Sequence, residues 1–150
     1  MKRKFILFLL SVLILMCFCG CSSNSFKKIS SEINKITVQI TNTSVQPSGT
    51  NYSIKLTNGS SYTIIQNSLY LSYPIKITNG RVQNECKVEA KLNKLNIKPG
   101  EIVNLHAFFP IENYDGNNKL DKEHLQYEIN GFISKLSQEN HFEKSGDVLQ

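Results

Sequence analysis

The chain is 150 residues long, with 17 basic and 12 acidic residues and a formal net charge of +5. Its first twenty residues hold three of the basic residues and none of the acidic ones, so the remainder carries 14 against 12 and is nearly neutral. The basic pI near 9 therefore describes mostly a leader and gives little ground for a nucleic-acid partner. Only Cys21 and Cys86 of the four cysteines lie beyond residue 20, which excludes a disulfide-rich scaffold.

Lys2, Arg3 and Lys4 precede an apolar run, Phe5 to Phe18, broken only by Ser11. A positive start followed by a short apolar stretch is the layout of a secretory signal. As a helix the run would extend about 21 Å, short of a hydrocarbon core of about 30 Å. It ends in Phe18-Cys19-Gly20-Cys21-Ser22-Ser23. That sequence resembles the lipobox of bacterial prolipoproteins, in which a small residue precedes an obligatory cysteine. The resemblance implies cleavage between Gly20 and Cys21 and a diacylglyceryl group on the Cys21 thiol. Phe18 and Cys19 depart from the usual Leu and Ala or Ser. Cys19 is the poorer modified residue, because Phe18 before it is too large for the small position. Two acyl chains hold a protein stably at a membrane where one does not.

Residues 22–31 are polar and serine-rich, too poor in apolar surface to offset the cost of ordering them. We read 1–20 as a signal peptide, 21–34 as a tether and 35–150 as a folded domain. Phe26, Ile29 and Ile33 have loose helical spacing within the tether. Lys27 and Lys28 could touch anionic headgroups, with a small contribution.

From Lys35 onward the apolar period becomes two. Ile36, Val38 and Ile40 alternate with polar residues, as do Tyr52, Ile54 and Leu56, then Val103, Leu105, Ala107 and Phe109, then Leu125, Tyr127 and Ile129. Each run predicts a strand with one buried face. Further strands are expected at 62–65, 69–77 and 86–92, with a closing strand near 132–136 after a bulge at Gly131. Pro47-Ser48-Gly49, Asn58-Gly59, Asn79-Gly80, Pro99-Gly100 and Asp115-Gly116 supply turn signals, and Asn58-Gly59 between two alternating runs predicts a hairpin. The expected fold is an immunoglobulin-like antiparallel β-sandwich of about seven or eight strands, with a small Greek-key barrel as the alternative. The stretch 111–124 is expected to cross between sheets and to carry a helical turn.

The order Thr57-Asn58-Gly59-Ser60-Ser61-Tyr62, then Tyr70-Leu71-Ser72-Tyr73-Pro74, then Lys98-Pro99-Gly100-Glu101 before a strand ending in Phe109-Pro110, resembles the small immunoglobulin-like lipoproteins of low-GC Gram-positive bacteria. The resemblance implies a fold and a cell-envelope setting. It supplies no biochemical role.

Chemistry-bearing residues are few. His106, His124 and His141 lack metal-ligand spacing and are expected to face water. Cys86 shares parity with Val88 and Ala90 and is expected to be a buried, inert thiol. Glu112, Asp115, Asn117, Asn118, Asp121 and Glu123 form the one oxygen-rich cluster. Its order is not that of a calcium loop, and Lys119 and Lys122 offset its charge, so a solvated turn is expected and no metal is assigned. The sequence holds no nucleophile elbow, phosphate loop or dinucleotide fingerprint. No catalytic residue and no cofactor is nominated. Tyr70 and Pro74 are the candidate contact residues, because Tyr70 lies opposite the apolar face formed by Leu69, Leu71 and Tyr73, and tyrosine suits interfaces.

The resulting expectation is a non-enzymatic interaction module, lipid-anchored on the extracytoplasmic face of the cell membrane. Its partner would be an envelope protein or wall component. The alternative is a ligand- or ion-binding accessory lipoprotein of a transporter or sensor system.

Overall fold

A computed structural model describes residues 29–114 and 116–148. Residues 1–20, expected to be a signal peptide, as well as Cys21 and Asp115, lie outside the described residues. Residues 29–33 form a helical turn, and the chain divides into two units, Met1–Ser31 and Glu32–Gln150. Among the described residues, every strand lies in the second unit.

The described residues form ten strands in order: β1 Ile36–Gln46, β2 Gly49–Asn58, β3 Ile64–Ser72, β4 Ile75–Ile77, β5 Gly80–Val82, β6 Val88–Glu89, β7 Asn96–Ile97, β8 Ile102–Pro110, β9 Gln126–Ile133 and β10 His141–Asp147. All pairings are antiparallel. One sheet has the order β1-β2-β8; the other has the order β10-β9-β3-β6, with β7 also on β3, and β4-β5 is a separate hairpin. Three strands on one side thus stand against β10, β9, β3 and the short β6 on the other. The protein is an all-β antiparallel sandwich. The two sheets do not join into a closed barrel, so the barrel alternative is set aside.

The alternation read from the sequence places the core. Ile36 and Val38, Ile54 and Leu56, and Leu105, Ala107 and Phe109 point inward from the first sheet; Ile64, Leu69, Leu71, Ile129, Ile133 and Phe142 meet them from the second. Full burial of one such aliphatic side chain stabilises the fold by about 1.5–3 kcal/mol.

Four local expectations are corrected. The stretches 62–65 and 69–77 are not two strands. β3 runs through both with an irregularity between Ile65 and Ser68, where Gln66 adopts a φ of +49°. Pro74, with no N–H to donate, ends the ladder, and Ile75–Ile77 pairs with β5 instead. Asn58-Gly59 is not a hairpin. Asn58 is wholly buried and the chain there crosses from the first sheet to the second. The expected strand 86–92 shrinks to β6. Gly131 pairs with Phe142 of β10 and on its other side is the one β9 residue facing Gln66 and Asn67, where the β3 register shifts, so the bulge expected at Gly131 is there, with its extra residue on β3. A Cβ at Gly131 would sit 3.1 Å from the Ile65 carbonyl oxygen. The closing strand is β10, whose sequence buries only Phe142.

The 111–124 crossover behaves as expected. It begins with a one-turn helix, Ile111–Tyr114, and carries the chain from β8 to β9.

Candidate functional site

The sandwich has a polar cleft on the outer face of its larger sheet, with a volume of about 170 Å³. It is lined by Tyr70 and Ser72 of β3, Arg81 and Val82 of β5, Gln83, Lys87, and Gln126, Tyr127 and Glu128 of β9, closed on one side by Ser145 and Gly146. Its position follows from strand parity: with Leu69 and Leu71 turned into the core, Tyr70 and Ser72 must face the other way. Tyr70 stands between Glu128 on one neighbour and Glu89 on the other.

Glu128 is the hub of the cleft. The Lys87 Nζ lies 2.6 Å from its Oε2, and the Gln83 amide donates to the same oxygen at 2.8 Å. The hydrogen bond to Glu128 holds the Lys87 pKa above its ordinary value, against the opposing effect of burial, and Glu85 and Glu143 add to the rise. A carboxylate occupied by two donors is a poor proton acceptor, and an ammonium held in that pair is a poor nucleophile. What the cleft offers a ligand is the Tyr70 phenol, Ser72 and the Arg81 guanidinium.

Tyr70 is half-buried and lines this cleft. Pro74 does not, and that assignment is corrected: Pro74 is buried, because the crossover lies on it. The Asp121 N–H donates to the Pro74 carbonyl at 2.8 Å and the Lys76 N–H to the Lys119 carbonyl at 2.7 Å.

The crossover does not gather the described members of the oxygen-rich cluster, Glu112, Asn117, Asn118, Asp121 and Glu123, into one site. Glu112 and Asn118 are exposed, and the Asn117 Oδ1 accepts the Lys119 N–H at 3.1 Å. Asp121 is buried, with its Oδ2 3.0 Å from His124 Nδ1 and 3.8 Å from Arg81 Nε. Burial pushes the Asp121 carboxyl up, but the hydrogen bond from His124 and the charges of His124 and Lys76 outweigh it, and the net direction is down. Asp121, Glu123 and His124 bring one ligand atom each within 4.8 Å of one another. His124 is exposed as expected, yet it has a carboxylate partner that spacing alone does not reveal. His106 and His141 are exposed.

The Cys86 assignment is also corrected: the thiol is exposed. Asn84 sets the local conformation, its Oδ1 accepting the Cys86 N–H at 2.9 Å and its amide donating to the Tyr73 carbonyl at 3.0 Å. Residue 86 therefore lies in a side-chain-capped turn before β6, and strand parity does not apply to it.

Two clusters escaped the sequence reading. At one end, Tyr52 and Tyr73 share a 2.6 Å hydroxyl hydrogen bond and pack with Phe109 and Tyr114 at ring-centroid distances of 4.8–5.7 Å. At the other, the Asn58 amide donates to the carbonyls of Tyr62 and Ile97 at 2.8 and 2.9 Å, and its Oδ1 accepts from the Ser60 N–H and hydroxyl. The buried Asn58 was readable only as a turn signal, since its partners are 4 and 39 residues away.

No family model matches the chain, and no curated protein matches it. Two crystal structures of the β-glucosidase from Kluyveromyces marxianus, one selenomethionine-labelled and one in complex with glucose, are similar over 77% of this chain at 15% identity and a TM-score of 0.34. The chain spans 14% of the length of that enzyme. This similarity is too slight to carry an argument about function.

Proposed function

We propose that this protein is a lipid-anchored, extracytoplasmic β-sandwich module that recruits an envelope protein or wall component without catalysing a reaction. The observation that carries the reading is the Gly20-Cys21 junction at the end of a short apolar run, followed by a polar stretch and then by the sandwich. Two acyl chains on Cys21 would keep the domain at the bilayer. The Tyr70 cleft supports the binding half of the reading, because Lys87 and Glu128 are committed to each other, while the Tyr70 phenol and the Arg81 guanidinium, which approaches Asp121 only at 3.8 Å, also line it. The Cys21→Ser protein tests the anchor: it should lose labelled fatty acid and leave the membrane fraction, and retention of both would refute it. A photo-crosslinking residue at position 70 tests the cleft. It should capture a recurrent partner in intact cells that the same residue at exposed position 106 does not.

A second reading, an ion-binding accessory lipoprotein, is favoured by the convergence of Asp121, Glu123 and His124. It calls for a divalent-cation-dependent rise in melting temperature that His124→Ala abolishes.

A further inference from the structure

Among the described residues, exposed large apolar side chains occur at both ends of the sandwich: Val45, Phe108 and Ile111 where β1 turns into β2, and three more at the end where the domain begins. Leu95, Leu136 and Ile102 are 70%, 56% and 53% exposed. Leu95 lies in the loop before β7, Leu136 in the loop between β9 and β10, and Ile102 begins β8. These segments meet at the end where the domain chain begins. Ile36 pairs with Asn58, Thr57 with Ile102, and Ile64 with both Ile97 and Ile133. The loops are held in place: the Gln66 N–H donates to the Leu95 carbonyl, the Asn67 amide to the Lys94 carbonyl, the Ser134 N–H to the Thr63 carbonyl and the Asn140 amide to the Ile133 carbonyl. Leu95 and Leu136 are thus displayed on fixed backbone.

Lysines flank them. Lys98 and Lys135 are exposed and form no ion pair among the described residues, while Lys35 and Lys94 are paired with Glu32 and Glu101. Glu139 is the remaining exposed acid at this end. The sequence adds Lys27 and Lys28 just ahead of the domain. Apolar side chains ringed by cations are the composition of a surface that sits in the headgroup layer.

We propose that this end of the sandwich docks on an anionic lipid surface, with Leu95 and Leu136 entering the headgroup boundary and Lys98 and Lys135 meeting lipid phosphates. The inference rests on the lipid-anchor reading and deepens it. Ten residues, 22–31, separate Cys21 from Glu32. Even fully extended, ten residues reach at most about 35 Å. Glu32 lies at the end bearing the leucines, where its carboxylate accepts the Ser61 N–H, so the chain from Cys21 enters the domain at that end. Attachment makes docking intramolecular, so a small patch with weak intrinsic affinity is enough. Docking would hold the Tyr70 cleft at a fixed orientation to the membrane.

The protein contains no tryptophan, so a single introduced indole reports its own depth. The full chain carrying Leu95→Trp or Leu136→Trp, with Val45→Trp as the control at the opposite end (Val45 is 79% exposed), would be purified from membranes and reconstituted into vesicles of phosphatidylglycerol and brominated phosphatidylcholine. Quenching at 95 and 136 should exceed that at 45 by about twofold or more. Lys98→Glu with Lys135→Glu should lower the docked-to-free ratio by at least about fivefold. Equal quenching at all three positions, or no effect of the paired lysine reversal, would overturn the proposal. Acylation is read separately, from the mass of the N-terminal peptide. A chain held only by an uncleaved 5–18 segment would refute the lipoprotein reading, while the quenching pattern would still decide the docking.

Discussion

The two ends of the sandwich are closed by different physics. At the end where the domain begins, side chains bond to backbone: Asn58 reaches Tyr62 and Ile97, Ser60 donates to the Tyr62 carbonyl, and Glu32 accepts from the Ser61 N–H at 2.6 Å. At the opposite end, rings pack on rings around Phe109, with one hydroxyl pair between Tyr52 and Tyr73. Directional closure fixes loop positions tightly, and each lost partner strands another buried polar group. Aromatic closure depends on area, so trimming one polar atom leaves most of it intact. The first end is therefore the more rigid platform and the more easily broken one.

Asn58→Ala should separate the two ends most sharply. It removes both donors and the acceptor of a side chain that is wholly buried. The carbonyls of Tyr62 and Ile97 and the N–H of Ser60 would then compete for water they cannot easily reach. A loss of about 4 kcal/mol is expected, read as a shift of the denaturant midpoint. A loss under about 1 kcal/mol would mean that the crossing at Gly59 is held by backbone alone, through the Gly100 N–H to the Asn58 carbonyl at 2.7 Å and the Asn58 N–H to the Glu101 carbonyl at 3.0 Å.

The aromatic end should respond less to the equivalent loss. Tyr73→Phe removes the hydroxyl hydrogen bond but keeps the ring against Phe109 and Tyr114, so a cost of about 1 kcal/mol is expected at neutral pH. The pH dependence is the sharper readout. Burial, followed by the hydrogen bond to Tyr52, raises the Tyr73 pKa above its ordinary value of 10.0. A phenol with a raised folded pKa contributes stability that is present below pH 10 and falls away as the pH rises past it. Wild-type stability should therefore decline above pH 10, and Tyr73→Phe should flatten that decline. An unchanged alkaline limb in the variant would place the titrating group elsewhere.

The contrast also explains what could be read from the sequence. The core positions Ile36, Val38, Ile54, Leu56, Leu105, Ala107 and Phe109 were legible because a half-buried strand writes its burial as a period of two. β10 was not, since His141-Phe142-Glu143-Lys144-Ser145-Gly146-Asp147 buries a single apolar residue and is placed by its ladder to β9. Within the candidate site, Tyr70 was legible from its parity opposite Leu69 and Leu71. Pro74 and Cys86 were misread, because their exposure is decided by the crossover and by the Asn84 turn, which are tertiary facts. The Asn58 network was read as a turn because Asn-Gly serves either purpose, and only the partner at Ile97 tells them apart. Glu128 carried no signal at all: its role comes from Lys87 and Gln83, 41 and 45 residues away.

The smallest effect belongs to Glu32, and it probes the directional end by pH. The Lys35 ammonium, the Ser61 N–H and the Lys35 charge hold its carboxyl at about 2, against an ordinary 4.5, although burial works the other way. A carboxylate with a depressed folded pKa contributes stability that is present above its unfolded value and is lost as the pH falls through the folded one. The acid limb of the stability curve should therefore drop between about pH 4.5 and pH 2. Glu32→Gln keeps an acceptor for the Ser61 N–H but gives up the ion pair, so that limb should become shallower while stability near neutral pH falls only slightly. Glu32→Ala should in addition leave the Ser61 N–H without its acceptor and loosen the turn between Gly59 and Tyr62, seen as faster amide exchange there. If both variants exchange at the wild-type rate, Glu32 contributes charge alone, and the directional closure of this end is the work of Asn58 and Ser60.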